Sequence, residues 1–180
     1  MRITVVAVLV GVALALTGCQ GATTAAPTPV RSTDLTSSDG GFDRNAVVGV
    51  VLPAGNDALA ADLEAGLDTA GFRPDVRVAP RTDAATAQRG AVDELVRGGA
   101  KALLVRAVDA DALTGVVQAA HDAGVVVVSL GDTVPASGTG GDGVSADHRV
   151  RTSDDPEETA RAAVDVVRSL QRGEQPDGDD

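Results

Sequence analysis

The chain has 180 residues, enough for one domain of ordinary size with short non-globular ends and too few for two full lobes. Its two Phe, with no Trp or Tyr, leave almost no aromatic side chain to stack on a ligand, and we expect a core of Ala, Val and Leu. The formal net charge of −11, with 15 scattered Lys and Arg, argues against a nucleic-acid partner, which needs a basic face.

The chain begins with a short apolar run behind one basic residue, Arg2. This run, residues 5–16, is short for a bilayer span but has the length of a secretory signal's hydrophobic region. The sequence Leu16-Thr17-Gly18-Cys19 resembles the lipobox of bacterial lipoproteins. That resemblance implies cleavage before Cys19, lipidation of its thiol with further acylation such as palmitate, and a chain anchored at the extracytoplasmic face of the cell membrane. The alternative is an ordinary secretory signal with a chance cysteine.

Two further segments have compositions that oppose folding. Residues 19–43 consist mainly of Ala, Thr, Ser, Pro, Gly and Asp, and we expect a disordered tether. Residues 173–180 are acidic and contain Pro and Gly, which predicts a disordered tail. With a signal peptide at 1–18, this leaves one folded domain at 44–172.

Strand and helix patterns alternate through that domain. Apolar or alternating runs predict strands at 46–53, 75–79, 101–105 and 125–130, with a short extended piece at 148–152. Apolar residues three and four apart predict four helices. Their buried stripes are Leu59, Leu63, Leu67 and Ala70; Ala84, Ala87, Ala91, Val92 and Leu95; Leu113, Val116, Val117 and Ala120; and Ala160, Ala163, Val164, Val167 and Leu170.

Short polar residues precede each helical stripe and are candidate N-caps. They are Asn56 or Asp57, Thr82 or Asp83, Asp109 or Asp111, and Asp155, which is followed by Pro156 at the first helical position. The alternation predicts an α/β fold, an open parallel sheet with helices on both faces in a Rossmann-like arrangement. A ligand would then bind at the carboxyl ends of the strands.

Three stretches in this order resemble one family: VVGVVLPAGNDALAADLEAGLDTAG, ELVRGGAKALLVRAVDADALTGVVQAAHDAGVVVVSLGD and TSDDPEETARAAVDVV. They are similar to the first lobe of ribose-binding-type (type I) periplasmic substrate-binding lipoproteins of ABC sugar importers. The resemblance implies a binding lobe for a small sugar-like ligand and an ABC permease as partner. The family continues into a second lobe, which we expect to be absent from these 180 residues.

The resemblance places four candidate ligand-binding residues: Asn56, Asp57, Asp132 and Asp155. Asn56 and Asp57 lie in the turn where the family has an Asn-Pro-aromatic-aromatic sequence, and the aromatic rings are missing here. Asp132 keeps the acid of the family's Asp-Arg pair without the Arg. For Asp57 and Asp155 helix capping is the alternative role.

Other chemical motifs lack the sequence context that their usual function needs. The G-x-G-x-x-G sequence at 138–143 precedes an extended stretch instead of a helix, so we interpret it as a flexible loop rather than a dinucleotide site. His121 and His148 lack metal-ligand spacing and are expected to be solvated. No activated nucleophile is recognisable, so we expect no metal, no cofactor and no enzymatic activity.

Two functions remain as hypotheses. The first is a membrane-anchored, extracytoplasmic substrate-binding protein, a carbohydrate-related component of ABC import shortened to one lobe. The second is an interaction module that docks another protein or a separately encoded second lobe through an exposed sheet edge.

Overall fold

The computed structural model describes residues 41–134 and 145–174. As far as residue 130, strands and helices alternate along the chain as the periodicity predicts; a further strand and a helix follow at 148–171. The strands are β1 (Val47–Leu52), β2 (Arg73–Val78), β3 (Ala102–Val105), β4 (Val126–Leu130) and β5 (His148–Val150), and the helices are α1 (Asp57–Thr69), α2 (Ala84–Arg97), α3 (Thr114–Asp122) and α4 (Pro156–Gln171).

The strands form one sheet in the order β2-β1-β3-β4-β5, and every pairing is parallel. Val48 of β1 is in register with Pro74 of β2 on one side and with Ala102 of β3 on the other. The chain therefore builds outward from β1 to β2, crosses back past β1 to β3, and continues to β4 and β5. The reversal occurs between β1 and β3, and this topological switch point is where open α/β sheets bind ligands.

Both faces of the sheet are covered by helices, which confirms the predicted fold class. Helices α1 and α4 pack on one face with Ala102 and Leu104, while α2 and α3 pack on the other with Leu103 and Val105. Consecutive residues of a strand point to opposite faces, so a strand buried on both sides contains a continuous apolar run. The run in β3 is fully buried for this reason.

The two phenylalanines pack against each other, with ring centroids 6.0 Å apart, near the amino ends of the strands. Phe42, which precedes the predicted domain boundary at residue 44, contacts Phe72 just before β2. Neither ring is therefore near the carboxyl ends of the strands. This placement agrees with a site that lacks aromatic stacking.

The helix starts confirm some of the predicted caps and correct others. Asp155 caps α4, since its Oδ1 accepts from the backbone N–H of Glu157 at 2.9 Å. Asp109 accepts from the N–H of Ala112 at 3.2 Å beside the short 3₁₀ turn that leads into α3, but Leu113 holds the N-cap position of α3, so the expectation that Asp109 or Asp111 caps this helix is wrong. Asn56 and Asp83 occupy the N-cap positions of α1 and α2, but neither side chain makes a capping hydrogen bond, so the expectation that they cap is wrong.

The missing capping bonds of Asp83 and Asn56 have different physical causes. Asp83 has a backbone φ of 55°, in the left-handed region, where a side chain does not take the extended N-cap geometry. Asn56 uses its side chain elsewhere: Nδ2 donates to the carbonyl of Pro53 at 3.0 Å, and Oδ1 accepts from Arg106. The hydrogen bond to Arg106, in the loop after the neighbouring strand β3, thus takes the place of a capping bond to α1.

Candidate ligand-binding site

A cleft of about 250 Å³ opens at the carboxyl edge of the sheet, beside the switch point. Loops after β1, β3 and β5 form it, together with the first turns of α1 and α4. Its lining residues are Gly55, Asn56, Ala58, Leu59, Arg106, Ser153, Asp154, Pro156 and Thr159.

Asn56 and Arg106 meet in this cleft although they are 50 residues apart. Nη1 of Arg106 donates to Oδ1 of Asn56 at 2.8 Å, and both residues are half-buried. The turn that brings Asn56 there contains Gly55 with φ +85°, a conformation that favours glycine. The hydrogen bond joins the loops after β1 and β3, so it lies on the switch point itself.

Gln88 fixes the loop that carries Arg106. This side chain on α2 is fully buried, its Nε2 donates to the carbonyl of Arg106 at 2.8 Å, and its Oε1 accepts from the N–H of Val108 at 2.9 Å. The amide thereby satisfies two backbone groups where β3 has ended and no strand can pair with them. Arg106 therefore projects from a restrained backbone.

The loop after β4 is tied to the same loop through Thr133. Its Oγ1 accepts from the N–H of Ala107 at 3.1 Å and donates to the carbonyl of Leu130 at 3.3 Å. Buried Ser129 supports this turn, since its Oγ accepts from the N–H of Val134 at 3.1 Å and donates to the carbonyl of Gly131 at 2.7 Å. The carboxyl edge is thus a connected set of restrained loops.

The structure brings one of the four sequence-predicted ligand residues, Asn56, into the cleft lining. Asp57 is exposed in the first turn of α1. The side chain of Asp132 is 87% exposed and forms an ion pair with Arg149 at 2.8 Å. Asp155 is engaged as the cap of α4, whereas its neighbour Asp154 lines the cleft.

Arg106 and Asp154 are the two charged lining residues that the sequence reasoning did not select. A usable signal existed for Arg106, because a charged residue directly after the buried run of β3 lies at a carboxyl strand end. For Asp154 the signal was ambiguous, since two adjacent acids precede α4 and the pattern does not say which one caps the helix. In the part of the chain that the structure describes, no hydrogen bond or ion pair engages the Asp154 carboxylate.

His121 forms a second polar pair, away from the cleft. Its Nε2 lies 3.3 Å from Oδ2 of Asp147, and the two side chains are 18% and 15% exposed, so the expectation of a solvated His121 is wrong. The contact with Asp147 raises the pKa of His121, although burial opposes the rise. His148 is half-buried, and this burial lowers its pKa.

A larger groove of about 370 Å³ runs between α1 and α4, where Gly66 and Val164 face each other among charged side chains such as Asp62 and Arg161. It lies on the outer helical layer, away from the strand ends.

The cleft at the switch point combines a guanidinium, an amide, a hydroxyl and a carboxylate in one concave space, which suits a polyhydroxylated ligand.

Several sequence motifs fall outside the described residues. Cys19 with its lipobox and the Gly-rich sequence at 138–143 are among them. Across residues 41–134 and 145–174, no group of three or more His, Cys, Asp and Glu side chains is arranged to hold a metal ion. Over the same residues, no helix has the length and apolar character needed to cross a membrane.

Among the solved structures that the chain resembles, the first one below supports the fold. An ABC transporter solute-binding protein from Clostridium phytofermentas with bound L-rhamnose matches with a TM-score of 0.53 and 19% identity, over 63% of this chain and 34% of that chain. Another from Mycobacterium smegmatis with bound glycerol matches with a TM-score of 0.49 and 22% identity, over 59% of this chain and 35% of that one. The chain therefore spans about a third of the length of these structures.

Comparison with curated proteins and with family models gave different results. None of the curated proteins matches the chain. The family model described as the periplasmic binding protein domain matches residues 48–150, which is more than half of the chain and runs from the second residue of β1 to the end of β5. The chain belongs to the periplasmic binding protein domain family.

Proposed function

We propose that this chain is an extracytoplasmic solute-binding protein of ABC import, and that it holds a small sugar-like ligand in the cleft at the switch point. It acts by binding and not by catalysis. Cys19 carries the lipid that anchors it to the cell membrane, and an ABC permease receives the ligand.

One observation carries the proposal: Asn56, Arg106 and Asp154 line one cleft at the switch point of a periplasmic binding protein fold. Sugars are recognised by multiple hydrogen bonds, and these side chains supply both donors and acceptors. The Arg106 loop is held by buried Gln88, so the donors are positioned before a ligand arrives. Preorganised polar groups in a concave site are typical of small-molecule binding.

Titration calorimetry on the full chain tests the proposal with pentoses, hexoses including L-rhamnose, and their oxidised derivatives. We expect one-to-one binding of at least one of these compounds, and Asn56→Ala should weaken it about tenfold or more, in line with the loss of one or two hydrogen bonds.

Asn45→Ala is the matched control, because Asn45 is exposed before β1, at the opposite edge of the sheet. This variant should bind like the unmodified chain. If no compound in the panel produces binding heat, or if both Asn variants bind equally well, the proposed ligand site is wrong.

A second candidate function is docking of another protein or a second lobe at the carboxyl edge of the sheet, where the cleft lies. Two large hydrophobic side chains are exposed at this edge. Val78 is the last residue of β2 and is 39% exposed, and Val108 lies in the loop after β3 and is 46% exposed. Exposed apolar side chains at one edge of the sheet give a partner apolar surface to cover. Light scattering after size exclusion distinguishes the two: self-association that is lost in Val108→Asp favours docking, and a monomer with ligand affinity contradicts it.

A further inference from the structure

Arg106 is a half-buried cation whose side-chain partner is neutral. Its Nη1 bonds to the amide oxygen of Asn56 at 2.8 Å, and across the described residues no carboxylate oxygen lies within 4.0 Å of its guanidinium. A guanidinium is always charged and offers five N–H donors in a planar fork. Most of its donors, and its charge, are left for another group in the cleft.

The backbone of Arg106 is restrained on both sides. Its N–H donates to the carbonyl of Val51 at 3.0 Å, continuing the pairing of β1 with β3, and its carbonyl accepts from Gln88 at 2.8 Å. Little backbone freedom is lost when a ligand pairs with the side chain. A preorganised guanidinium is the form in which arginine binds a carboxylate most effectively.

The surroundings add positive potential on the β1 side of the cleft. Nη2 of Arg81 would lie 4.0 Å from a Cβ placed on the lining residue Gly55. Asn56 gives its oxygen to Arg106 and does not cap α1, while the exposed carboxylate of Asp57 in the first turn opposes the positive end of that helix dipole.

Asp154 limits how much negative charge the cleft can accept. Its carboxylate lines the same space, and the chain as a whole carries a formal net charge of −11. A dianion would meet more repulsion than a monoanion. The Asp154 oxygens are good acceptors for ligand hydroxyls.

We propose that the ligand is a sugar acid, a polyol with one carboxylate that pairs with Arg106 while its hydroxyls bind Asn56 and Asp154. This inference rests on the proposed function, and it specifies the sugar-like ligand as an anionic one.

Titration calorimetry with matched ligands tests it on the full chain: galacturonate against galactose, and glucuronate against glucose, at low and at raised ionic strength. We expect at least one acid to bind about tenfold or more tightly than its neutral parent at low salt, since charge-assisted hydrogen bonds are the stronger ones. Added salt should reduce that ratio.

Arg106→Gln removes the charge and keeps a hydrogen-bonding group. We expect the ratio of the affinity for the acid to the affinity for its neutral parent to fall close to one in this variant. Arg89→Gln is the charge-matched control, because Arg89 is exposed on α2 and does not line the cleft. It should keep the preference for the acid.

The outcomes separate this inference from the proposed function. Equal or tighter binding of the neutral sugars overturns the sugar-acid inference and leaves sugar binding in place. A preference that survives Arg106→Gln also overturns it. Absence of binding by every sugar and sugar acid overturns both. Circular dichroism of each variant shows whether the fold is kept.

Discussion

Gln88 donates a hydrogen bond of 2.8 Å to the carbonyl of Arg106, linking a fully buried side chain of α2 to the residue after β3. The same amide accepts from the N–H of Val108 at 2.9 Å. One side chain thus satisfies two backbone groups beyond the end of the strand. The shape of the candidate site depends on this contact.

Gln88→Leu should destabilise the domain, because it leaves the carbonyl of half-buried Arg106 and the N–H of Val108 without their hydrogen-bond partner. We expect a loss of about 2 to 3 kcal/mol in the free energy of unfolding, measured by urea titration. The variant should also weaken any ligand that uses Arg106. Gln118→Leu on α3 is the control: Gln118 is exposed and its Nε2 donates to Asp122, so the loss in free energy of unfolding should stay within about 0.5 kcal/mol. Equal effects in the two variants would contradict the role given to Gln88.

Asp155→Ala tests whether this residue is a cap or a ligand contact. Its carboxylate accepts from the N–H of Glu157 at 2.9 Å, and removal of such a cap costs about 1 kcal/mol. We expect that loss in urea titration with unchanged ligand affinity. Asp154→Ala should give the reverse pattern, because Asp154 lines the cleft and caps no helix. A fall in affinity for Asp155→Ala alone would restore its predicted ligand role.

The pH dependence of stability should differ in sign between the two histidines. Contact with Asp147 raises the pKa of His121, so its stabilisation is fully present below the unfolded pKa of about 6.5 and is lost as pH rises through the folded value. Burial lowers the pKa of His148, so its contribution is present above about 6.5 and is lost as pH falls through the folded value.

Urea titrations of His121→Gln and His148→Gln across this range check both signs. His121→Gln should lower the free energy of unfolding most at the acidic end of the range. It should lower it least at the alkaline end, where His121 of the unmodified chain is also uncharged. His148→Gln should gain stability relative to the unmodified chain as the medium becomes acidic. If the two variants show the same pH trend, the environments described for the two imidazoles are wrong.

Cys19→Ser tests the lipid anchor in cells. With the thiol removed, lipidation is prevented. The chain should then accumulate as the unmodified precursor or appear in the soluble fraction, and the lipidated form should disappear from the detergent-extracted membrane fraction. Mass spectrometry of the unmodified chain should find acyl groups on Cys19. Ser32→Ala, in the predicted tether, is the control and should remain lipidated. An unacylated Cys19 would favour an ordinary secretory signal instead.

The fold class was predictable from the sequence because its signals are local and repeated. Continuous runs such as that of β3 indicate strands covered on both faces, and stripes such as Leu59, Leu63 and Leu67 indicate helices. Asp155 followed by Pro156 identified a helix start, and the structure confirms that cap. Each of these signals lies within one turn or one strand, so no distant contact had to be known.

The candidate site was predicted only in its location. The carboxyl ends of parallel strands meet at one edge, and Asn56 was recognised there, but its partner Arg106 lies 50 residues away. Competition between local and distant partners decided the rest: Asn56 gives up its helix-capping role to bind Arg106, and Asp132 turns outward to pair with Arg149.

The sequence by itself therefore determined the order of strands and helices, the parallel sheet and the edge where a ligand would bind, since periodicity and capping are properties of neighbouring residues. Only the tertiary structure decided which polar side chains share the cleft. The packing of α2 against the sheet buries Gln88 against the Arg106 loop, and the crossover at the switch point brings Arg106 to Asn56. Side-chain hydrogen bonds of this kind join loops that are distant in the chain, and no local pattern encodes them.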